Sequence, residues 1–131
     1  MHKNQSGVGI LLVDDDEDVR AFVALSLRVS GYRIYQAGSG EEALRVFADH
    51  GNEIELLLSD VVMPGMSGDK LAVQLLARKP SLKLVLMSGN PMSTIKSAIP
   101  LEEGSNFLQK PFSVIDLREC LAQLLSPAPH A

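Results

Sequence analysis

Asp14 and Asp15 close one apolar run, Asp60 closes a second and Lys110 ends a third. If those runs are neighbouring strands, three carboxylates and one ammonium emerge together. Carboxylates held close repel one another, and leaving them uncompensated is costly. Two compensations suit oxygen donors. A hard divalent cation such as Mg²⁺ takes one or two carboxylates directly and keeps several waters. A lysine is a movable point charge able to meet phosphate oxygens. Acidic residues after strands often do no more than cap helices, and Asp16 to Asp18 read that way. The set of Asp14, Asp15, Asp60 and Lys110 has no such structural use, and points to a functional cluster.

The elements that must position this set alternate along the chain. Residues 9–13 form a short continuous apolar run, expected of a strand buried on both faces. Asp16 then caps a helix that is expected to bury Val19, Phe22, Val23, Ser26 and Leu27 and to stop at Gly31. Residues 33–37 give a second strand, and Ser39 with Glu42 makes a capping box for a helix ending near Gly51. Residues 54–59 are a third strand, and 67–79 a helix with Leu71, Leu75 and Leu76 inward, ended by Pro80. Residues 82–87 form the fourth strand and 107–110 a short fifth. Between them Pro91 and Pro100 leave room only for a short helix. Ser113 with Asp116 opens the last helix, on which Val114, Leu117, Leu121 and Leu124 recur. Buried-type strands alternating with helices argue for an α/β domain with a parallel sheet covered on both faces, where ligands bind at the carboxyl ends of the strands.

The bulk composition sets limits. The chain has 131 residues, enough for one domain, with 46% hydrophobic and 21% charged residues, so a packed core is expected. A formal net charge of −4 offers no basic face, so no nucleic acid is expected as a direct partner. No apolar run approaches the roughly 20 residues needed to span a bilayer, and one cysteine, Cys120, permits no internal disulfide. A cytoplasmic domain over 8–125 with flexible termini, 1–7 and 126–131, is the expectation.

Four motifs resemble the receiver domain of two-component response regulators: Leu11-Leu12-Val13-Asp14-Asp15-Asp16 followed by Val19-Arg20; Leu58-Ser59-Asp60-Val61-Val62-Met63-Pro64-Gly65-Met66-Ser67-Gly68; Leu86-Met87-Ser88-Gly89; and Phe107-Leu108-Gln109-Lys110-Pro111-Phe112. Together they span nearly the whole chain, in family order. The resemblance implies a flavodoxin-like (βα)5 doubly wound sheet of five parallel strands, order 2-1-3-4-5, here with its fourth helix short or irregular. It implies that Asp60 is the phospho-accepting nucleophile and that Mg²⁺ is the cofactor. Asp15 would be a direct metal ligand, Asp14 its acidic neighbour acting through water, and the Val62 carbonyl the remaining protein ligand besides Asp60. Ser88 would be the switch hydroxyl, Lys110 the partner of the phosphoryl group, and Phe107 the aromatic switch residue that turns inward. The Lys110–Pro111 peptide is expected to be cis, and Gly65 and Gly68 to be turn glycines. The phosphoryl donor would be a sensor histidine kinase, a histidine phosphotransfer protein or a small phosphodonor. The downstream protein is not encoded in these motifs.

The chain departs from the family pattern in places. Phe107 stands where a tyrosine is common, so its rotation would be read through burial alone. The resemblance implies that Val62 and Asn90 line the water approach to the site and tune phosphate lifetime. Pro91 and Pro100 disturb the segment that helps form the output face, a pattern like that of receivers attached to hybrid sensor histidine kinases. His2, His50 and His130 lie in polar or terminal contexts, unsuited to a phospho-donor, and the chain has no ATP-binding motif, so it is not a stand-alone kinase. Two rival readings remain. One is a haloacid-dehalogenase-like phosphatase with Asp14 as nucleophile and Asp16 as acid/base, which leaves the Asp60 segment unexplained. The other is a receiver-like module that binds a partner without phosphorylation.

Overall fold

A computed structural model describes residues 7–125. The segments 1–6 and 126–131, with His2 and His130, lie outside the described residues. The element order is β1 (Gly9–Val13), α1 (Glu17–Val29), β2 (Arg33–Ala37), α2 (Gly40–His50), β3 (Ile54–Asp60), α3 (Gly68–Arg78), β4 (Lys83–Ser88), β5 (Phe107–Gln109) and α4 (Val114–Leu125). The strands form one parallel sheet in the order β2-β1-β3-β4-β5. This is the doubly wound architecture expected from the alternation of elements.

Side-chain alternation along the central strands builds two cores. Ile10, Leu12, Leu56, Leu58, Val85 and Met87 face α1 and α4, meeting Val23, Leu27, Leu117 and Leu121. Leu11, Val13 and Leu57 face α2 and α3, meeting Ala43, Phe47, Leu71 and Leu75. Both faces of β1 are covered, which is why all five of its residues are buried and why it reads as an unbroken apolar run. Register does the positioning. Val13 pairs with Ser59, Asp60 with Met87 and Ser88 with Gln109. The residues that follow or end these strands therefore reach the same sheet edge.

Local chemistry sets the helix starts. The Asp16 side chain accepts from the Asp18 and Val19 N–H groups, capping α1. Ser39 accepts from the Glu42 N–H, but Glu42 returns its bond to the Gly38 N–H rather than to Ser39. Ser113 accepts from the Asp116 N–H and opens α4.

The sequence reading differs from the structure on one face of α1. Val23, Ala24 and Leu27 are buried, whereas Phe22 is 61% exposed and Ser26 only partly covered. The stripe is turned by one residue, because the small Ala24 lets the helix lie close to the sheet. Between β4 and β5 the described residues hold no α-helix, only a 3₁₀ turn at Met92–Thr94. Pro91 immediately precedes that turn and Pro100 follows in the segment, as the sequence led us to expect. Met92, Ile95, Ile99 and Leu101 of this irregular strap pack against Val61, Leu86 and Phe107.

Candidate phosphoacceptor and metal site

The register brings Asp14, Asp15 and Asp60 together, with one carboxylate oxygen from each within 4.8 Å of the others. Each is held differently. Asp14 is 1% exposed and both its oxygens are engaged: Oδ1 accepts from the Asp16 N–H at 2.9 Å and Oδ2 from Lys110 Nζ at 2.9 Å. Asp15 is exposed at the mouth. Asp60 is 13% exposed and lies 3.4 Å from Lys110 Nζ, so the lysine bridges Asp14 and Asp60.

The electrostatics separate these groups. Burial pushes the Asp60 carboxyl up to about 6, with the nearby charges of Asp14 and Asp15 adding to it and Lys110 opposing it. Burial alone would lower the Lys110 ammonium, but its hydrogen bond to Asp14 and the charge of Asp60 outweigh it, and the net shift is upward. The carboxylate that carries the uncompensated strain is Asp60. Because Asp14 already has two donors, Asp15 and Asp60 are left as the carboxylates with free oxygen capacity.

Backbone contacts hold the frame. Ser59 Oγ donates to the Asp60 carbonyl at 2.9 Å, the Val61 N–H donates to the Met87 carbonyl at 2.8 Å, and the Gly68 N–H donates to the Val61 carbonyl at 2.9 Å. The next carbonyl, that of Val62, receives no hydrogen bond from the described residues, and the Val62 side chain is 58% exposed. Gly65 adopts φ 77°, a turn conformation, as expected. Gly68 serves a different need. Its backbone lies so close to Asp60 that an added Cβ would sit 2.0 Å from the Asp60 carbonyl oxygen.

Ser88 is 2% exposed, and its Oγ accepts from the Asn90 N–H at 3.0 Å, leaving its own proton to donate. The Lys110 N–H donates to the Ser88 carbonyl at 2.7 Å, which ties β5 to the end of β4, and the Lys110–Pro111 peptide is cis. Phe107, expected to turn inward on switching, is inside already, fully buried between Val61 and Leu86.

The contacts of other residues around the site were not legible in the sequence, even for Arg20, which falls within the first motif. Arg20 Nη1 donates to the Asp14 carbonyl at 2.7 Å and so fixes the backbone that carries the acidic pair. Asp69, 4% exposed, accepts from the Ala98 N–H at 2.7 Å, across 29 residues of sequence. An acid in the first turn of a helix is common, which is why its longer reach was not legible. The phosphatase alternative fares poorly, because the Asp16 carboxylate is used in capping α1 and Asp14 is buried against Lys110.

The acidic cluster and the lysine thus sit at the carboxyl edge of a doubly wound sheet, where such folds bind their ligands. The sequence matches the response regulator receiver domain over residues 10–122, and the chain belongs to that family. It is 34% identical over 116 residues to the sensor kinase CckA of Brucella abortus, a match covering 88% of this chain and 12% of that protein. It is 30% identical over 119 residues to the response regulator receiver protein CpdR of the same organism, covering 91% of this chain and 98% of that one. The receiver domain of the hybrid histidine kinase CckA superposes with a TM-score of 0.76 at 33% identity, covering 90% of this chain and 99% of that one. TrrA of Thermotoga maritima, solved in complex with Mg²⁺ and BeF, gives 0.75 at 29% identity, with 89% and 98% covered. This is a receiver of two-component signalling, and no helix among its described residues is long and apolar enough to cross a membrane.

A carboxyl whose folded value is raised from 3.8 to about 6 weakens the fold as pH climbs through that window, because the unfolded chain gives up its proton first. Asp60→Asn should therefore stabilise the metal-free protein at pH 7 by roughly 1–2 kcal/mol, after discounting for solvent screening, with the gain vanishing near pH 4. Urea denaturation of both proteins at the two pH values checks it. A variant less stable at pH 7 would refute the prediction.

Proposed function

We propose that this chain is a phospho-accepting receiver in which Asp60 takes a phosphoryl group and thereby switches partner binding. The observation that carries this reading is the meeting of Asp14, Asp15 and Asp60 within 4.8 Å, with Lys110 reaching both Asp14 and Asp60. The donor set fits Mg²⁺: all-oxygen, anionic, and with Asp14 already committed to Lys110. Asp15, Asp60 and the Val62 carbonyl would hold the ion directly, with Asp14 behind them. Bound there, Mg²⁺ would neutralise charge on the transferring phosphoryl group.

The chain's own residues do the rest. An Asp60 carboxylate oxygen attacks phosphorus, the bond from phosphorus to the donor's imidazole nitrogen or acyl oxygen breaks, and the leaving group departs with that electron pair. A carboxylate with a value of about 6 is ionised at neutral pH and ready to attack. Lys110 Nζ, 3.4 Å from Asp60, can pair with a phosphoryl oxygen while keeping its bond to Asp14. The Ser88 hydroxyl donates a second hydrogen bond. Two charge-assisted bonds at roughly 1.5–3 kcal/mol each supply roughly 3–6 kcal/mol, against about 5.5 kcal/mol to carry a two-state equilibrium from 1:99 to 99:1. The switch is feasible with little surplus.

The donor we assign is the phosphohistidine of a sensor histidine kinase or phosphotransfer protein, with the cytoplasm as the setting. The likeness to a hybrid kinase receiver supports a role in adaptor or phosphorelay signalling. The test is intact mass after incubation with acetyl phosphate, with and without Mg²⁺, on the wild type and Asp60→Asn. The expected result is a Mg²⁺-dependent gain of one phosphoryl group that the variant lacks. No gain in the wild type would favour a binding module that works without phosphorylation. A gain that survives in Asp60→Asn would mean another acceptor.

A further inference from the structure

The strap between β4 and β5 is hydrogen-bonded to the site at two points, with only the apolar packing of Met92 and Ile95 between them. At its start the Asn90 N–H donates to Ser88 Oγ at 3.0 Å. At its middle the Ala98 N–H donates to Asp69 Oδ2 at 2.7 Å. Among the described residues, the hydrogen bonds of residues 91–97 reach no further than Ile99: Thr94 bonds Pro91, the Ile95 N–H bonds Met92, and Ser97 Oγ accepts from the Ile99 N–H. The stretch beyond Ala98 is anchored differently. Asn106 clasps Pro100 and Glu102 through its side chain, and its carbonyl accepts from the Leu86 N–H of β4. Between the two anchors residues 91–97 are thus held by the apolar packing of Met92 and Ile95 alone, beside a groove of about 370 Å³ lined by Val62, Ser67, Lys70, Asn90, Thr94 and Lys96.

Asp69 is well built as an anchor. It is 4% exposed and follows Gly68, whose backbone is pressed against the Asp60 carbonyl. Burial alone would raise its carboxyl, but N–H donation from Ala98, a hydrogen bond from Ser67 and the helix-start amides outweigh that and hold it below the usual range. The bond to Ala98 is therefore charge-assisted, stronger than a neutral one. The first anchor is the opposite kind, since it hangs on the Ser88 hydroxyl that phosphorylation would recruit.

We propose that Asp69 is a positioning residue that fixes the far end of segment 91–97, so that movement begun at Ser88 is confined to this segment and opens the groove beside Asp60. The inference rests on the phosphoacceptor reading. When Ser88 Oγ moves toward the phosphoryl group, the Asn90 N–H loses or follows its acceptor, and the nearer half of the strap shifts. Asp69 and the Asn106 clasp keep residues 98–106 over Phe107. The anchor also resists the shift, so removing it lowers the cost of binding at the phosphoryl site, by the reciprocity of coupled equilibria.

The test is hydrogen exchange read by mass spectrometry on the full chain, with and without Mg²⁺ and beryllofluoride, for the wild type, Asp69→Ala and Ala98→Pro. In the wild type, beryllofluoride should speed exchange about tenfold or more over residues 90–97 and leave 98–106 unchanged. In Asp69→Ala the speeding should run on to residue 106, and beryllofluoride should bind roughly fivefold more tightly. Ala98→Pro removes the donor instead of the acceptor and must give the same footprint, which keeps the inference open to refutation if Asp69→Ala does not fold. A merely structural role for Asp69 would loosen the strap equally with and without the ligand and would not tighten binding. That result, or a footprint unchanged by either variant, overturns the inference. If beryllofluoride does not bind the wild type at all, the phosphoacceptor reading fails as well.

Discussion

Replacing Gly68 by alanine should cost about 3 kcal/mol or more, read as a lower urea midpoint at unchanged slope. The position looks permissive on propensity alone, since alanine is favoured over glycine in a helix by about 1 kcal/mol. Packing reverses the sign. The new methyl would lie 2.0 Å from the Asp60 carbonyl oxygen and 2.9 Å from both the carbonyl carbon and Ser59 Oγ. The neighbours are mostly backbone, so they cannot rotate aside. Relief requires α3 to retreat from β3, which breaks the bond from the Gly68 N–H to the Val61 carbonyl and pulls Asp69 from Ala98. The same retreat shifts the backbone that aims the Asp60 carboxylate, so phosphorylation by acetyl phosphate should slow even where the variant is folded. Gly89→Ala is the control, because there nothing lies within 4 Å of the new methyl. A Gly68→Ala protein within 1 kcal/mol of the wild type would show that the loop after Asp60 yields.

The sequence carried the sheet and the acidic cluster for the same reason. A strand buried on both faces must be apolar throughout, so 9–13 and 54–59 announced themselves, and any charge at their ends had to lie at the sheet edge. Pro91 and Pro100 likewise revealed the lack of a regular helix before β5. Pairings between distant segments left no such trace. Nothing in Asp69 or Ala98 by type or spacing says that they meet, and nothing in Arg20 says that it grips the Asp14 carbonyl. Helix period gave the existence of α1 but not its rotation, since shifting the stripe by one residue exchanges Phe22 for Ala24 with little change in the pattern. Phe107 shows the limit most clearly. Its identity said that it was a candidate switch residue, while only the packing of Met92, Ile95 and Leu101 around it shows that it lies inside in this state.

Lys110→Met should destabilise the metal-free protein by about 3 kcal/mol at pH 7, near the lower end for removing one partner of a buried ion pair. Asp14 is the reason. It is 1% exposed, and without Lys110 its Oδ2 faces the Asp60 and Asp15 carboxylates with only the Asp16 N–H on its other oxygen. Methionine keeps the length and packing of the stem, so the loss isolates the charge. The pH dependence has a definite sign. The lysine is raised in the folded state, so its contribution is fully present below its unfolded value and is lost only as pH climbs through the higher folded one. The Asp60 carboxyl, already near 6, moves further up when its cation is removed, so the variant's deficit should shrink as the pH is lowered from 7 toward 4 and these carboxyls take up protons. Mg²⁺ should narrow the gap too, and bind the variant more tightly than the wild type, because it would replace the missing positive charge. Thermal melts across that pH range, each with and without Mg²⁺, check all three statements. A deficit that stays constant with pH and is indifferent to Mg²⁺ would mean that Lys110 contributes through packing, and that the three carboxylates are not the strained, cation-seeking cluster from which the proposed phosphoacceptor chemistry is drawn.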